Sequence, residues 1–410
     1  MQHKLIFKNT FYQTFARVVT SFIGFLITII IARKFGVLGY GDFTKVTSYI
    51  ALSYLVLDFG FNAFFLQYEK PHFKSLFYLR ILISLIVFVV IDLIALILPY
   101  NYALGTGFSG SVRTGIFIFS FSVFAQSIIL STTAIFQKSI NYFRYMIGVV
   151  VGSLVNLVLV LLFAFLNFSI FFILFAFVVS SFTSALFLIK FGKEPIWPFS
   201  FNKAFAKEIL TKSLPIGLML IFNLVYFRAD MFLLSLLAPT RDVGIYGLSY
   251  KFFDFLIALP LFLSNAIYPF LLKAKKEGKG FCHLTRNYFF VFLASSLIVI
   301  IPFWFISPLF ILIKTDFANC IIPFRILLLS LPFFFTTSFL QWVLITLEKQ
   351  KYLMYVYLFS VILNIVLNMI FIPQFSYLAS ATITLISEGL VFVLLIGKVF
   401  KVRILLERKT

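Results

Sequence analysis

The sequence predicts an all-α integral membrane protein, with about twelve transmembrane helices in two six-helix bundles related by a pseudo-two-fold axis along the membrane normal. Three observations lead there. Apolar residues make up 62% of the 410-residue chain and charged residues 12%, against about 45–50% and about 25% in soluble domains. Apolar runs of about 20 residues, the length of a spanning helix, recur from end to end, where a spanning β-barrel would alternate over segments of about 10. The second half of the chain also repeats the first.

The runs place spans near 11–32, 46–67, 76–98, 113–135, 144–166, 168–190, 213–237, 246–270, 288–313, 324–347, 353–372 and 376–397. The first is too long for the apolar core of a signal peptide and ends in Ala32-Arg33-Lys34 without a cleavage site. Pro99, Pro239, Pro308, Pro323 and Pro373 fall at or beside span ends, where helices tolerate them. Pro260, Pro302 and Pro332 fall inside spans and are expected to kink them. The 60 Phe are read as bulk facing lipid.

Basic residues fix the orientation. With the N-terminus inside, the inner segments collect Lys70, Lys74 and Arg80, then Lys190, Lys193, Lys203, Lys207 and Lys212, then Lys273, Lys275, Lys276, Lys279 and Arg286, with Lys398, Lys401, Arg403, Arg408 and Lys409 in the tail. The outer segments hold only Arg33, Lys34, Lys45, Arg113, Arg241, Lys314 and Arg325. Both termini are therefore expected in the cytoplasm, and the net charge of +20 is read as inner-loop cations, not as a nucleic-acid surface. Cys282 and Cys320 fall on opposite sides, so no disulfide is expected, and no metal-ligand spacing is present.

The repeat sets the domains. Ala32, Val37, Tyr40, Gly41 and Lys45 recur as Ala238, Val243, Tyr246, Gly247 and Lys251, at an offset of 206. Met146, Asn156, Phe163 and Lys190 recur as Met354, Asn364, Phe371 and Lys398, at an offset of 208. Residues 1–190 form one bundle, 191–212 a cytoplasmic linker, and 213–410 the second bundle with its basic tail. Both halves start inside with an even number of spans, so their topology is parallel. In the linker, Asn202 is a candidate N-cap, and Phe201, Phe205 and Ile209 oppose Lys203, Lys207 and Lys212, as in a helix lying in the inner interface.

Ionisable groups at lipid depth cost about 2.5–3.5 kcal/mol each unless they meet partners or water. They are Arg17, Asp58, Asp92, Arg228, Asp230, Lys251, Asp254 and Glu388, and six of the eight fall in the first two spans of each repeat. We expect those four spans to line a shared polar cavity. Arg17, Arg228 and Lys251 suit an anionic head group such as a diphosphate, or alternatively neutralise carboxylates; Lys251 and Asp254 stand three apart on one face. Asp58, Asp230, Asp254 and Glu388 are candidates for coupling to H+ or Na+, and Asp92, near a span end, is expected to be wet. Asn156, Asn364 and Asn368 are read as hydrogen-bonding between helices, and Gly148-Val149-Val150-Val151-Gly152 as a close helix contact. His3, His72 and His283 sit in no motif and no phosphate-binding loop is present. No enzyme activity and no cofactor are therefore expected.

The chain resembles the polysaccharide-transport (Wzx-type) branch of the multidrug/oligosaccharidyl-lipid/polysaccharide (MOP) flippase superfamily. Its motifs are matched by Ala32-Arg33, Gly36, Tyr40-Gly41 and Phe43; by Asp58-Phe59-Gly60; by Pro215, Asp230, Val243-Gly244-Ile245-Tyr246 and Pro269; and by Asn364, Asn368, Ile372-Pro373 and Ala379-Ser380-Ala381. Phe375-Ser376-Tyr377-Leu378 departs, standing where the family often has glycines. The resemblance implies two bundles around a cavity that opens alternately to either side of the cytoplasmic membrane. It implies an oligosaccharide on polyprenyl diphosphate as cargo (O-antigen, capsule or a similar repeat unit), with membrane lipids and other glycan-assembly proteins as partners. Two alternatives stand beside it: an ion-coupled multidrug antiporter of the same superfamily, and a membrane glycosyltransferase or polymerase. The latter usually carries a large outer loop or an acidic metal motif, and neither is present.

Overall fold

The computed structural model describes residues 2–68, 72–277 and 280–407. Of the basic residues named above, Lys70, Lys279, Arg408 and Lys409 lie outside the described residues. The chain forms two compact units, Met1–Arg228 and Ala229–Thr410.

The first unit runs α1 (Gln2–Asp58), α2 (Phe61–Phe65), α3 (Phe73–Ile97), the strands β1 (Tyr100–Asn101) and β2 (Thr106–Gly107), α4 (Gly110–Ser120), α5 (Ser122–Lys138), α6 (Tyr142–Phe165), α7 (Ile170–Gly192) and the first part of α8 (Lys203–Leu237). The second holds the rest of α8, α9 (Thr240–Glu277), α10 (Phe281–Ile306), α11 (Phe310–Ile313), α12 (Ile321–Thr346) and α13 (Gln350–Glu407).

Each expected span is helical over most of its length, though 46–67 runs from α1 into α2, 113–135 from α4 into α5 and 288–313 from α10 into α11. The apolar stretch Phe11–Phe65 is 55 residues long and Gln350–Lys401 is 52. At 1.5 Å per residue each would reach about 80 Å, against a hydrocarbon core of about 30 Å. Gly36 at φ 65° breaks the first near its middle and Ser376 at φ 49° breaks the second, so each supplies two spans.

Contacts at opposite ends of the first unit show the helices alternating in direction. At one end Lys34 bonds the Asn167 amide, and Lys45 Nζ donates to the Gly107 carbonyl at 2.7 Å. At the other, the Asn9 side chain accepts from Tyr142 N, Lys74 Nζ donates to the Pro198 carbonyl, and Lys138 bonds the Tyr68 carbonyl. In the second unit Asp242 meets Ser376 at one end, while Lys275 donates to Thr346 O and Glu348 Oε1 at the other.

Packing follows from small residues in the first unit and large ones in the second. α6 lies close on α7 because Gly148 and Gly152 have no side chains. A Cβ at 148 would fall 2.7 Å from the Leu188 side chain, and one at 152 would run into the Ser184 hydroxyl and come within 2.9 Å of Ser180 O. The Gly148–Gly152 pattern thus acts as the expected helix contact. In the second unit α12 is central, packed on α9, α10 and α13, with Phe324, Leu327, Leu331, Phe335 and Phe339 all fully or almost fully buried.

Three local readings are corrected. The linker forms no separate interfacial helix. Asn202 does cap, its Oδ1 accepting from Phe205 N at 3.1 Å, but the helix it starts is α8 itself. Phe205, Ala206 and Ile209 are buried against Phe61, Phe65, Phe73 and Leu76, so the apolar stripe meets protein and not lipid. Arg80, read as an inner-segment cation, lies inside α3 and is fully buried. Lys45, read as an outer-segment cation, is fully buried too, pinning the β1–β2 hairpin that sequence patterning does not reveal.

Candidate functional site

The polar residues expected at lipid depth divide into three kinds of surroundings. Asp58 is paired. Arg80 closes the end of α1, with Nε 3.2 Å from Leu57 O, Nη2 3.9 Å from the Asp58 carboxylate, and its guanidinium 5.5 Å over the Phe61 ring. The family-like Asp58-Phe59-Gly60 is a turn, with Phe59 at φ 38° and Gly60 at φ 70°. Asp92 is half-buried, and its Oδ2 accepts from Ser120 at 3.0 Å while Oδ1 is sealed from solvent; the expectation of a wet carboxylate fails on that oxygen.

The cations differ from one another. Arg17 on α1 and Lys251 on α9 are exposed, and Arg228 on α8 is half-buried. Arg17 lies near enough to Tyr145 of α6 to act on it electrostatically. Asp254, one turn after Lys251 on α9, is half-buried.

The third setting is a buried polar network in the second unit. Asp230 on α8 is 3% exposed. Tyr246 of α9, itself fully buried, donates its hydroxyl to Asp230 Oδ2 at 2.5 Å, and Thr384 of α13 donates to the same oxygen at 3.4 Å. Thr384 also donates to Ser380 O one turn earlier. Ser380 donates to Asn368 Oδ1 at 3.1 Å, Asn368 donates to both oxygens of Asn364, and Asn364 reaches Ser387 at 3.4 Å. Residues 380, 384 and 387 share one face of α13 beyond its break, and 364 and 368 share one face before it, because residues three and four apart are neighbours on a helix. The break at Ser376 lets the two parts of α13 meet. Glu388, also 3% exposed, accepts from Thr337 of α12 at 2.5 Å.

Chemically, the network gathers oxygen donors around one carboxylate in a closed space. Such a set suits a proton or a hard cation more than a soft metal. Among the described residues no group of three or more His, Cys, Asp and Glu is placed to hold a metal.

Sequence reading found Asp230, Asn364 and Asn368 but missed Tyr246, Ser380 and Thr384 as their partners. The repeat holds a signal for Ser380 and Thr384, though not for Tyr246. The counterparts of Asp230, Tyr246, Thr384 and Asn368 in the first half are Gly24, Tyr40, Ala176 and Val160. Asp230, Thr384 and Asn368 are polar where the other copy is not, and that contrast marks them, whereas Tyr246 and Tyr40 are alike.

The chain matches the sequence profile of the family described as polysaccharide biosynthesis protein over residues 6–275. It belongs to that family. A second profile, MatE, matches residues 215–370. Solved structures with this fold include a lipid II flippase, MurJ, in an inward closed conformation, at 14% identity and a TM-score of 0.77, covering 94% of this chain and 87% of that one. They also include an inward-facing multidrug resistance MATE family transporter of the MOP superfamily, at 15% identity and a TM-score of 0.73, covering 95% of both chains. No curated protein sequence matches the chain. The family member described here is thus a multi-pass membrane protein with the helical-bundle fold of MOP transporters.

Proposed function

We propose that the protein is a flippase that moves an oligosaccharide on polyprenyl diphosphate (O-antigen, capsule or a similar repeat unit) from the inner to the outer leaflet by alternating access, without catalysis. The observation that carries this reading is the exposure of Arg17 and Lys251 on membrane-length helices. Against acyl chains each would cost about 2.5–3.5 kcal/mol; against an anionic head group each is a charge-assisted donor. Each of them, like the half-buried Arg228, suits a phosphate of the head group, while the polyprenyl tail stays in lipid. Family membership supports a glycan substrate, and the fold shared with a lipid II flippase supports a lipid-linked one. In this reading the protein sits in the cytoplasmic membrane with both termini inside, as the basic residues direct, beside other glycan-assembly proteins.

Coupling to H+ or Na+ is assigned to the Asp230 network in the same proposal. A buried carboxylate held by Tyr246 and Thr384 releases or takes up one cation at a time, and α13 links that event to the Asn364–Asn368 face. Asp254 and Glu388 are secondary candidates. Asp58, paired with Arg80, is left with a structural part.

Deleting the gene should strand lipid-linked repeat units on the cytoplasmic leaflet; normal surface glycan after deletion overturns the reading. Arg228→Ala should lower export at equal expression, and unchanged export removes that residue from the diphosphate site. A second reading, an ion-coupled multidrug antiporter, is favoured by the MatE match over 215–370. It predicts lost resistance to cationic drugs in the deletion strain with surface glycan intact.

A further inference from the structure

A cavity of about 210 Å³ opens on the second unit between the ends of α10, α12 and α13. Its walls are apolar. α10 contributes a stripe at helical spacing, Cys282, Thr285, Arg286 and Phe289, and α13 adds Ile396 and Phe400. Leu340 of α12 and Leu347, just past its end, also line it, two turns or about 10 Å apart.

Three features go beyond a gap between helices. Arg286 stands at the rim, exposed, with no carboxylate bonded to it among the described residues. The Thr285 hydroxyl lines the same space, sealed from solvent and without a hydrogen-bond partner. Most helical Ser and Thr of this chain donate to a carbonyl three or four residues back, as Ser295 and Thr346 do. Finally, the end of α13 that forms one wall carries further cations. Lys398 lies with its ammonium 4.9 Å over the Tyr352 ring, and Lys401 is exposed.

We propose that this crevice is a binding site for an anionic phospholipid of the surrounding leaflet. One acyl chain lies along Phe289, Leu340 and Ile396. The phosphate sits on the Arg286 guanidinium, and an ester or glycerol oxygen accepts from Thr285. The cations make the choice of head group: each Lys or Arg near a membrane surface favours an anionic lipid about fivefold, whereas a zwitterionic head brings its own ammonium to the same place. The site is separate from the Asp230 network and does not depend on what the protein transports.

Cys282 supplies the reporter, because it lines the crevice and is half-exposed, while Cys320 is buried. The full-length protein is reconstituted in phosphatidylcholine vesicles, with and without phosphatidylglycerol, and alkylated with a neutral maleimide. Phosphatidylglycerol should slow alkylation about fivefold or more, and Arg286→Gln should abolish that protection. Soluble glycerol phosphate should not protect. Equal rates in the two vesicles, equal protection in the variant, or protection by glycerol phosphate would each overturn the proposal. If the variant does not insert, the wild-type comparison alone decides.

Discussion

Lys45 and Lys251 occupy the same place in the two repeats, yet Lys45 is sealed inside its unit with its ammonium on the Gly107 carbonyl at 2.7 Å, while Lys251 is exposed on α9. Duplication gave both halves the same side chain, and the surroundings gave each a different task. Lys45→Met should destabilise the first unit by about 1–3 kcal/mol, the usual cost of a buried polar group left unpaired. Lys251→Gln should leave the melting temperature unchanged and lower glycan export about tenfold. Thermal unfolding and export measured on both variants check the contrast.

A second expectation concerns Tyr246. Its hydroxyl meets a buried carboxylate, and hydrogen bonds to charged groups contribute about 1.5–3 kcal/mol. Tyr246→Phe should lose about that much stability. Asp230→Asn, which keeps the shape and removes the charge, should fold well and leave transport indifferent to the H+ or Na+ gradient. Export assayed at varied gradients in vesicles tests this, and a retained gradient dependence excludes Asp230 as the coupling group.

These two cases also show how far the sequence can be read. Span positions, the two-fold repeat and the Gly148–Gly152 contact were legible because they depend on hydrophobicity and residue size along one helix. The roles of Arg80 and Lys45 were not. Both are cations near span ends, where a charge rule assigns them to water, and only the tertiary fold shows a carbonyl waiting for each. The linker stripe failed for a related reason: Phe205 and Ile209 fit a lipid surface and a protein surface equally well, and the pattern holds no information about which comes near. In the Asp230 network Thr384 meets Tyr246 and Asp230 from 138 and 154 positions away, beyond any local pattern.

Ser376 carries two opposed effects. Its backbone lies at φ 49°, ψ −130°, a region costing a non-glycine residue about 1–3 kcal/mol. Its hydroxyl donates to Asp242 Oδ2 at 2.5 Å, and Asp242 is the repeat counterpart of Gly36, the other break. Ser376→Ala keeps the strain and loses the bond, so it should lower the melting temperature. Ser376→Gly loses both and should come out near neutral. An alanine variant as stable as the glycine variant removes the strain from this account.

In the turn between α12 and α13, Glu348 accepts from Lys275 at 2.8 Å. That hydrogen bond and the ammonium charge hold its carboxyl below the ordinary value of 4.5. A carboxyl with a lower pKa folded than unfolded stabilises the fold above about 4.5, and the contribution is lost as pH falls through the folded value. Glu348→Gln should therefore lower stability slightly at neutral pH and converge with the unsubstituted protein as pH falls below about 4.5, which flattens the acid side of the profile. Thermal melts from pH 3 to pH 7 read the difference.

Gly36 and Ser376 each carry the chain from one spanning helix to the next in a single residue. The corresponding passages at 166–169 and 238–239 are nearly as short. A protease, an antibody or a phage needs a stretch of backbone it can grip, and at this end each unit offers little more than the Tyr100–Gly107 hairpin and the 307–320 segment. Cleavage by an added protease should begin there or in the 193–202 stretch, and epitope insertions placed at 36 or 376 should be the ones the fold rejects.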